Sequence, residues 1–161
     1  MSDVPATLLA PWHGTVLHEW TDYNGHLRDA HYLLIFSMAT DALMDLFGLD
    51  EAGRKATGHS IFTLESHINY LLEVKEGTPI EVRTQILGVD AKRLNIYHTL
   101  HVAGTEPVLA ANQQMLLNVD MSGRRAAPFA PSVLPRVQAL AAQHRGLPAP
   151  KYAGRSIALP G

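Results

Sequence analysis

The chain has 161 residues, of which 47% are apolar and 17% charged, and its formal net charge is -2 with histidine neutral. That length suits one compact domain and is short for two, and the composition is that of a folded globular protein. No run of like charge exceeds two residues. A nucleic-acid coat or a membrane-surface helix needs a concentrated basic face, so no nucleic-acid partner is expected.

The chain contains no cysteine. Disulfides, Cys-ligated zinc, iron–sulfur clusters and thiol nucleophiles are therefore excluded. Residues 1–5 carry no basic flank or long apolar core, so they do not read as a secretion signal. No apolar run approaches the roughly 20 residues that span a bilayer. We expect a cytoplasmic protein without a membrane segment.

The first elements in chain order are a strand, a turn and a long helix. Residues 13–20 predict a short strand, and residues 22–26 form a turn rich in residues that tolerate unusual backbone angles. From Asp29 to about Phe47 there is no Gly or Pro, and apolar residues occur on nearly every side. With Asp29 as N-cap and Gly48 as stop, this pattern predicts a helix buried over most of its circumference.

Four strand-like segments follow a polar loop at 50–59. They cover roughly 60–73, 78–89, 93–103 and 107–119, and the short breaks between them favour an antiparallel meander. Alternation assigns one apolar and one polar face to each strand. In the first of these strands the apolar face is Phe62, Leu64, Ser66, Ile68, Tyr70 and Leu72, and in the third it is Leu94, Ile96, His98 and Leu100.

This order of elements predicts an α+β fold in which a five-stranded antiparallel sheet wraps around one long central helix. We expect a single domain over residues 1–161, with a core at about 12–120. Residues 121–161 look peripheral, with a short helix at about 132–144 and a tail that need not be well ordered. One covering helix leaves sheet edges exposed, which favours a homodimer or a dimer of dimers.

One stretch carries a family resemblance. Residues 22–33 read Asp-Tyr-Asn-Gly-His-Leu-Arg-Asp-Ala-His-Tyr-Leu. This resembles the signature of hotdog-fold acyl-CoA thioesterases of the 4-hydroxybenzoyl-CoA thioesterase type, in which an Asp-x-x-Gly-His turn precedes the central helix. The element order resembles that family over about residues 12–120. The resemblance implies a hotdog fold, hydrolysis of an acyl-CoA thioester, and no cofactor besides the coenzyme A of the substrate.

Two further stretches resemble a narrower branch of this family, the betainyl-CoA thioesterases of carnitine breakdown. They are residues 20–26, Trp-Thr-Asp-Tyr-Asn-Gly-His, and residues 90–94, Asp-Ala-Lys-Arg-Leu. Arg28 departs from the family pattern, which usually has Asn at that position. The departure bears on the choice of substrate more than on the class of reaction.

The resemblance makes Asp22 the catalytic carboxylate, either attacking the thioester or activating a water. From the residues alone, Asp22 could equally be a turn-forming or capping residue. Gly25 and His26 would present backbone N–H groups to the oxyanion at the positive end of the helix. Gly25 also suits a turn that needs positive φ, and the imidazole of His26 is either structural or in contact with substrate. No histidine spacing matches a metal site.

Other candidates would bind the substrate. Three polar residues form a stripe on one strand face: Glu65, His67 and Asn69. This stripe is either a solvated or dimer-facing surface, or it crosses a dimer interface and contributes a polar group to the Asp22 site of the partner. Trp20, Tyr23 and Trp12 could contribute to an aromatic cage for a quaternary ammonium group, although core packing also suits Trp12. Within the turn and the start of the helix we also predict substrate contacts from Asn24, Arg28 and Tyr32. For coenzyme A the basic candidates are Lys92 and Arg93 at a strand start, with Arg54, Lys55, Arg124 and Arg125 on loops.

Two other functions compete with thioester hydrolysis. One is a hotdog enoyl-CoA hydratase or dehydratase, but the longer Asp-x-Asn-Pro-x-His type of segment is not found. The other is a non-catalytic acyl-CoA-binding protein, for which Asp22→Asn should leave any slow hydrolysis of the ligand unchanged.

Overall fold

A computed structural model describes residues 7–161, so the N-terminal stretch 1–5 discussed above lies outside the described residues. One turn of 3-10 helix, His18–Trp20, follows the first strand. The elements in chain order are β1 (Leu9–Thr15), α1 (Asp29–Leu46), α2 (Glu51–Thr57), β2 (His59–Tyr70), β3 (Pro79–Val89), β4 (Arg93–Val102), β5 (Ala110–Asp120), β6 (Arg125–Ala126) and α3 (Leu134–His144).

The five long strands form one antiparallel sheet in the order β1-β3-β4-β5-β2, and the two-residue β6 pairs with the end of β5. The sheet curls around α1, which confirms the predicted α+β hotdog architecture. Strand β2 is an edge strand, paired with β5 on one side only. The Asp22 turn lies beyond the end of β1, at the sheet end where Thr15 pairs with Pro79, and the β3–β4 turn lies at the other end.

Helix α1 buries one side against the sheet and leaves the other exposed. The buried side contains Tyr32, Ile35, Phe36, Ala39, Thr40, Leu43 and Met44. Burial over most of the circumference is wrong for the single chain, because Leu33, Leu34 and Leu46 are more than two-fifths exposed. Asp29 is the first helical residue rather than the N-cap, which is Arg28. The Asp29 carboxylate accepts a hydrogen bond from the N–H of Ala30 at 2.8 Å.

Two other expectations need correction at the start and the middle of the sheet. Strand β1 runs from Leu9 to Thr15 instead of 13–20, because its partner β3 begins at Pro79, opposite Thr15, and offers no ladder beyond it. In β2 the pairing register shifts between Thr63 and Glu65. A bulge at Leu64 therefore reverses the alternation, so that Phe62 does not share a face with Ser66 as predicted.

The expected loop at 50–59 contains helix α2. Asp50 caps this helix by accepting a hydrogen bond from the N–H of Gly53 at 2.8 Å, and Gly58 closes it in the left-handed region at φ 70°. Gly53 packs so closely that an added Cβ would lie 1.8 Å from the carbonyl oxygen of Gly48. The glycines that suggested a loop are therefore parts of a compact helix.

The C-terminal segment packs against the sheet in two ways: α3 joins the core cluster that contains the end of α1, and the tail beyond α3 lies on the opposite sheet face. In α3, Val137 and His144 are buried, and His144 Nδ1 accepts a hydrogen bond from the backbone N–H of Ile86 at 2.9 Å. Beyond α3, the N–H of Gly154 donates to Gln113 Oε1 at 2.6 Å. The tail therefore packs against β5 rather than hanging free.

A buried imidazole crosses the space between α1 and the sheet. His98 Nδ1 lies 2.8 Å from Thr84 Oγ1, and its Nε2 lies 3.0 Å from Thr40 Oγ1. The ring stacks parallel to that of Phe36 at a centroid distance of 5.8 Å. Complete burial lowers the pKa of His98 to about 3, so the ring is neutral. Each ring nitrogen is within hydrogen-bond distance of one threonine hydroxyl.

Candidate active site

The Asp22 turn is closed by its own backbone and anchored to the link between β2 and β3. The N–H of Asp22 donates to the carbonyl of His26 at 2.9 Å, and the N–H of Gly25 donates back to the carbonyl of Asp22 at 3.0 Å. The N–H of Leu27 bonds to the carbonyl of Val74 at 2.8 Å, and the N–H of Glu76 bonds to the carbonyl of Gly25 at 3.0 Å. The turn is therefore held on two sides.

The carboxylate of Asp22 is oriented and ionised. Its Oδ1 accepts hydrogen bonds from the N–H of Asn24 at 2.8 Å and from that of His26 at 3.1 Å. The His26 N–H bond, followed by the Asn24 bond and the charge of Arg28, outweighs desolvation and lowers the pKa of Asp22 below 3.8. Both backbone donors meet Oδ1, which leaves Oδ2 for an incoming group. The capping and the catalytic interpretations of Asp22 are compatible in this geometry.

The expected oxyanion donors are occupied in this conformation. The N–H of Gly25 bonds to the Asp22 carbonyl and that of His26 to the Asp22 carboxylate. Both residues precede α1, whose N-cap is Arg28. They therefore do not form a free donor pair in this conformation, and donation by Gly25 and His26 to an oxyanion stays a prediction. Gly25 does adopt positive φ, at 76°, as the turn interpretation requires.

The other residues of the predicted motif surround the turn with different exposures. Tyr23, within the turn, is 95% exposed. Asn24 and Arg28 are also exposed, and Asn24 touches Asp22 through its backbone. Trp20 packs against the core and stacks on His31 at 6.4 Å. Trp12 also packs against the core, and the contribution of these aromatic residues to a cage stays a prediction.

Tyr32 lies at a cavity that sequence reasoning did not predict. The cavity has a volume of about 270 Å³ and lies at the start of α1. Besides Tyr32 it is lined by Tyr70 from the end of β2 and by Glu73 from the link that anchors the Asp22 turn. Glu73 Oε2 also lies 3.5 Å from His26 Nε2. The cavity is therefore a direct neighbour of the turn.

The polar stripe lies on the sheet face opposite α1. Glu65 and His67 line a second cavity with Gln113 and with Arg155 of the C-terminal tail. Asn69 shares their face by alternation. Within one chain these residues are on the other side of the sheet from the Tyr32 cavity. Their predicted contact with substrate stays a prediction.

Lys92 and Arg93 lie at the sheet end remote from Asp22. The guanidinium of Arg93 is already paired with Asp90 Oδ2, at 2.7 Å from both Nε and Nη2. Strand β4 spans ten residues, so about 30 Å of sheet separates this turn from the Asp22 end of the same chain. Any role in binding coenzyme A at this site requires a second chain.

The described residues offer no group of three or more His, Asp or Glu side chains that could hold a metal ion. Over residues 7–161, no single helix is both long and apolar enough to cross a membrane. Helices α1 and α2 reach that length and composition only as a pair, and they are bent by 63°.

Comparisons with known proteins place this geometry in a family. The family model of the thioesterase-like superfamily matches residues 16–137. A betainyl-CoA thioesterase of Pseudomonas aeruginosa is 58% identical over 160 residues, which cover 99% of this chain and 98% of the relative. A bifunctional L-carnitine dehydrogenase/betainyl-CoA thioesterase of Agrobacterium fabrum is 42% identical over 138 residues, 86% of this chain and 28% of the relative.

Solved structures agree with these sequence matches. A candidate thioesterase from Pseudomonas putida KT2440 superposes with a TM-score of 0.82 at 52% identity, over 96% of this chain and 99% of that one. A protein of Staphylococcus aureus solved in complex with CoA superposes with a TM-score of 0.90 at 28% identity, over 99% of this chain and 100% of that one. The chain therefore belongs to the thioesterase-like superfamily and has its hotdog fold.

Proposed function

We propose that this protein is an acyl-CoA thioesterase that hydrolyses betainyl-CoA to betaine and coenzyme A, with Asp22 as the catalytic carboxylate. The observation that carries the proposal is the 58% identity, over nearly the full length of both chains, to a betainyl-CoA thioesterase. The geometry of Asp22 supports it, because an oriented, ionised carboxylate beside a cavity is what thioester hydrolysis needs.

Two courses are open to the free oxygen of Asp22. It can attack the thioester carbonyl, expel the thiolate of coenzyme A and form an anhydride that water then hydrolyses. It can instead take a proton from a water whose oxygen attacks the carbonyl. A single turnover in ¹⁸O-labelled water that leaves label in Asp22 identifies the first course, with water attacking the Asp22 carbonyl of the anhydride; the second course puts the label only in the released acid.

The main test measures release of free thiol from betainyl-CoA. Asp22→Asn keeps the size of the side chain and removes the charge, so kcat/KM should fall at least about 100-fold. Asp41→Asn, at an exposed position of α1, is the matched control and should keep wild-type activity. Folding of each variant is checked by circular dichroism. Equal turnover by folded Asp22→Asn and the wild type would refute catalysis by Asp22 and favour the non-catalytic alternative.

The proposal includes a homodimer formed along β2. Exposed apolar residues occur in β2, just after it and in α1: they are Leu64 and Tyr70, then Leu72, and Leu33, Leu34 and Leu46. A second copy that pairs antiparallel with β2 would cover them and satisfy the open backbone groups of the edge. It would also bring the β3–β4 end of one sheet beside the Asp22 end of the other. Use of coenzyme A favours a cytoplasmic location, which belongs to the same proposal.

A further inference from the structure

The cavity beside the Asp22 turn combines aromatic rings with carboxylates. Its lining residues are Tyr32 and Tyr70, Asp29 and Glu73, and three leucines. At about 270 Å³ it lies just below the range of ordinary small-molecule pockets, so it suits a compact head group rather than a long acyl chain.

The two tyrosines are fixed before any ligand arrives. Their rings meet edge to face, at a centroid distance of 5.2 Å and an angle of 88°. The hydroxyl of Tyr32 donates to the carbonyl of Leu72 at 3.3 Å, and that of Tyr70 donates to the carbonyl of Asp29 at 3.2 Å. In the single chain Tyr32 is 4% exposed and Tyr70 is 53% exposed, so one ring forms a buried wall and the other lies on the side that the proposed second copy would cover. Such a pair loses little freedom when a ligand binds.

The charges in this cavity are negative. Asp29 and Glu73 are the ionisable lining residues apart from the tyrosines, and no Lys or Arg is among the described lining residues. Burial, followed by the charge of Glu73, raises the pKa of Tyr32 above 10, so both hydroxyls stay protonated at neutral pH. A cation here would meet aromatic rings and carboxylates together.

We propose that this cavity, walled by Tyr32, Tyr70, Asp29 and Glu73, binds the quaternary ammonium end of a cationic acyl group. This inference rests on the proposed function and names the part of the site that selects the substrate. A quaternary ammonium has no N–H to donate, so it is recognised by aromatic faces and by negative charge. The Asp22 turn lies next to the cavity through Leu27 and through the contact of His26 with Glu73. The proposal therefore requires the short acyl group of betainyl-CoA to extend from this cavity to the Asp22 carboxylate.

The test compares two substrates of the same shape. In 3,3-dimethylbutyryl-CoA a carbon atom replaces the nitrogen of betainyl-CoA, so the pair differs in charge and little in size. The measured quantity is the ratio of kcat/KM for betainyl-CoA to that for the neutral analogue. A variant that merely disturbs Asp22 or His26 lowers both rates and leaves the ratio unchanged.

We expect the wild type to prefer the cation. Tyr70→Leu and Glu73→Gln should each lower the ratio by about 2- to 30-fold, the range of a single cation–π or comparable charge contact. Tyr70→Phe keeps the aromatic face and should keep most of the ratio. Glu51→Gln, which removes an exposed carboxylate on α2, is the matched control and should leave the ratio unchanged.

The outcomes separate this inference from the function on which it rests. If the wild type does not cleave betainyl-CoA, the proposed function fails. If cleavage is efficient and depends on Asp22, but the ratio is the same in Tyr70→Leu, Glu73→Gln and the wild type, the cavity assignment is overturned. Should Tyr70→Leu not fold, Glu73→Gln decides alone, because that side chain is 79% exposed and its replacement does not disturb the core.

Discussion

The buried imidazole of His98 makes the stability of this protein depend on pH in a way that can be isolated by one substitution. His98 is fully buried between two threonine hydroxyls and has a pKa of about 3, against 6.5 in an unfolded chain. The unfolded state therefore binds a proton between pH 7 and pH 5 that the folded state does not. Because the folded-state pKa is the lower one, stability is retained above pH 6.5 and is lost as the pH falls below it.

The magnitude follows from those two values. At pH 5 the unfolded imidazole is almost fully protonated, whereas the folded one remains about 99% neutral. Each proton bound only by the unfolded state lowers stability by about 1.4 kcal/mol per pH unit. Since binding becomes complete only below pH 6.5, the contribution of His98 between pH 7 and pH 5 is about 2 kcal/mol.

The assay is urea unfolding of the wild type and of His98→Gln at pH 7 and at pH 5. The variant should be the less stable protein at pH 7, because one amide cannot serve both threonines. It lacks the titrating ring, however, so its deficit should shrink by about 2 kcal/mol at pH 5. His13→Gln, at a side chain that is 60% exposed, is the matched control and should show no change of this size. A constant deficit for His98→Gln at both pH values would refute the reasoning.

Three further outcomes are expected. The hydrogen bonds to Asp22 lower its pKa below 3.8, so kcat/KM in brief assays should stay constant from pH 7 to pH 5. A decrease in kcat/KM centred above pH 5 would contradict ionised Asp22 as the active form. Gly53→Ala should lower the free energy of unfolding by about 1–3 kcal/mol in urea titrations, since its Cβ would overlap the carbonyl of Gly48, whereas Gly146→Ala has open space. If β2 forms the dimer interface, Leu64→Lys should halve the mass measured by light scattering. Leu159→Lys, in the exposed tail, is the control and should leave the mass unchanged. An unchanged mass for Leu64→Lys would contradict a dimer interface at β2.

Local patterns were sufficient to predict the main elements. The uninterrupted run from Asp29 to Phe47, ended by Gly48 at φ 84°, defines α1 to within a residue of its observed end. The alternation in β4 correctly assigns Leu94, Ile96, His98 and Leu100 to one buried face. These patterns can be read from the sequence because each depends only on near neighbours, three or four residues away in a helix and two residues away in a strand.

Features that depend on distant contacts were missed. The bulge at Leu64 interrupts a stretch whose alternation reads as continuous, so only the register against β5 reveals it. The burial of Tyr97 is equally non-local, because the C-terminal tail covers the sheet face on which it lies. A polar face in the pattern of one strand cannot show that another segment will cover it.

The candidate site divides in the same way. The Asp22 turn was predicted, because five consecutive residues carry its signature. The cavity was not, since Tyr32 and Tyr70 are 38 positions apart and meet only when the end of β2 reaches the start of α1. The sequence pattern places Glu73 at the end of a strand. Its contact with His26 could not be read from either local sequence.

The anchoring of the Asp22 turn has a consequence for protein engineering. Residues 74–76 look like an ordinary connection, yet their backbone bonds hold Leu27 and Gly25 in place. Lengthening this connection would therefore displace the carboxylate even though no residue of the motif is altered. The turn at Ala103–Thr105, at the same end of the sheet, makes no such bonds to the motif and is the better point for a graft or a tag.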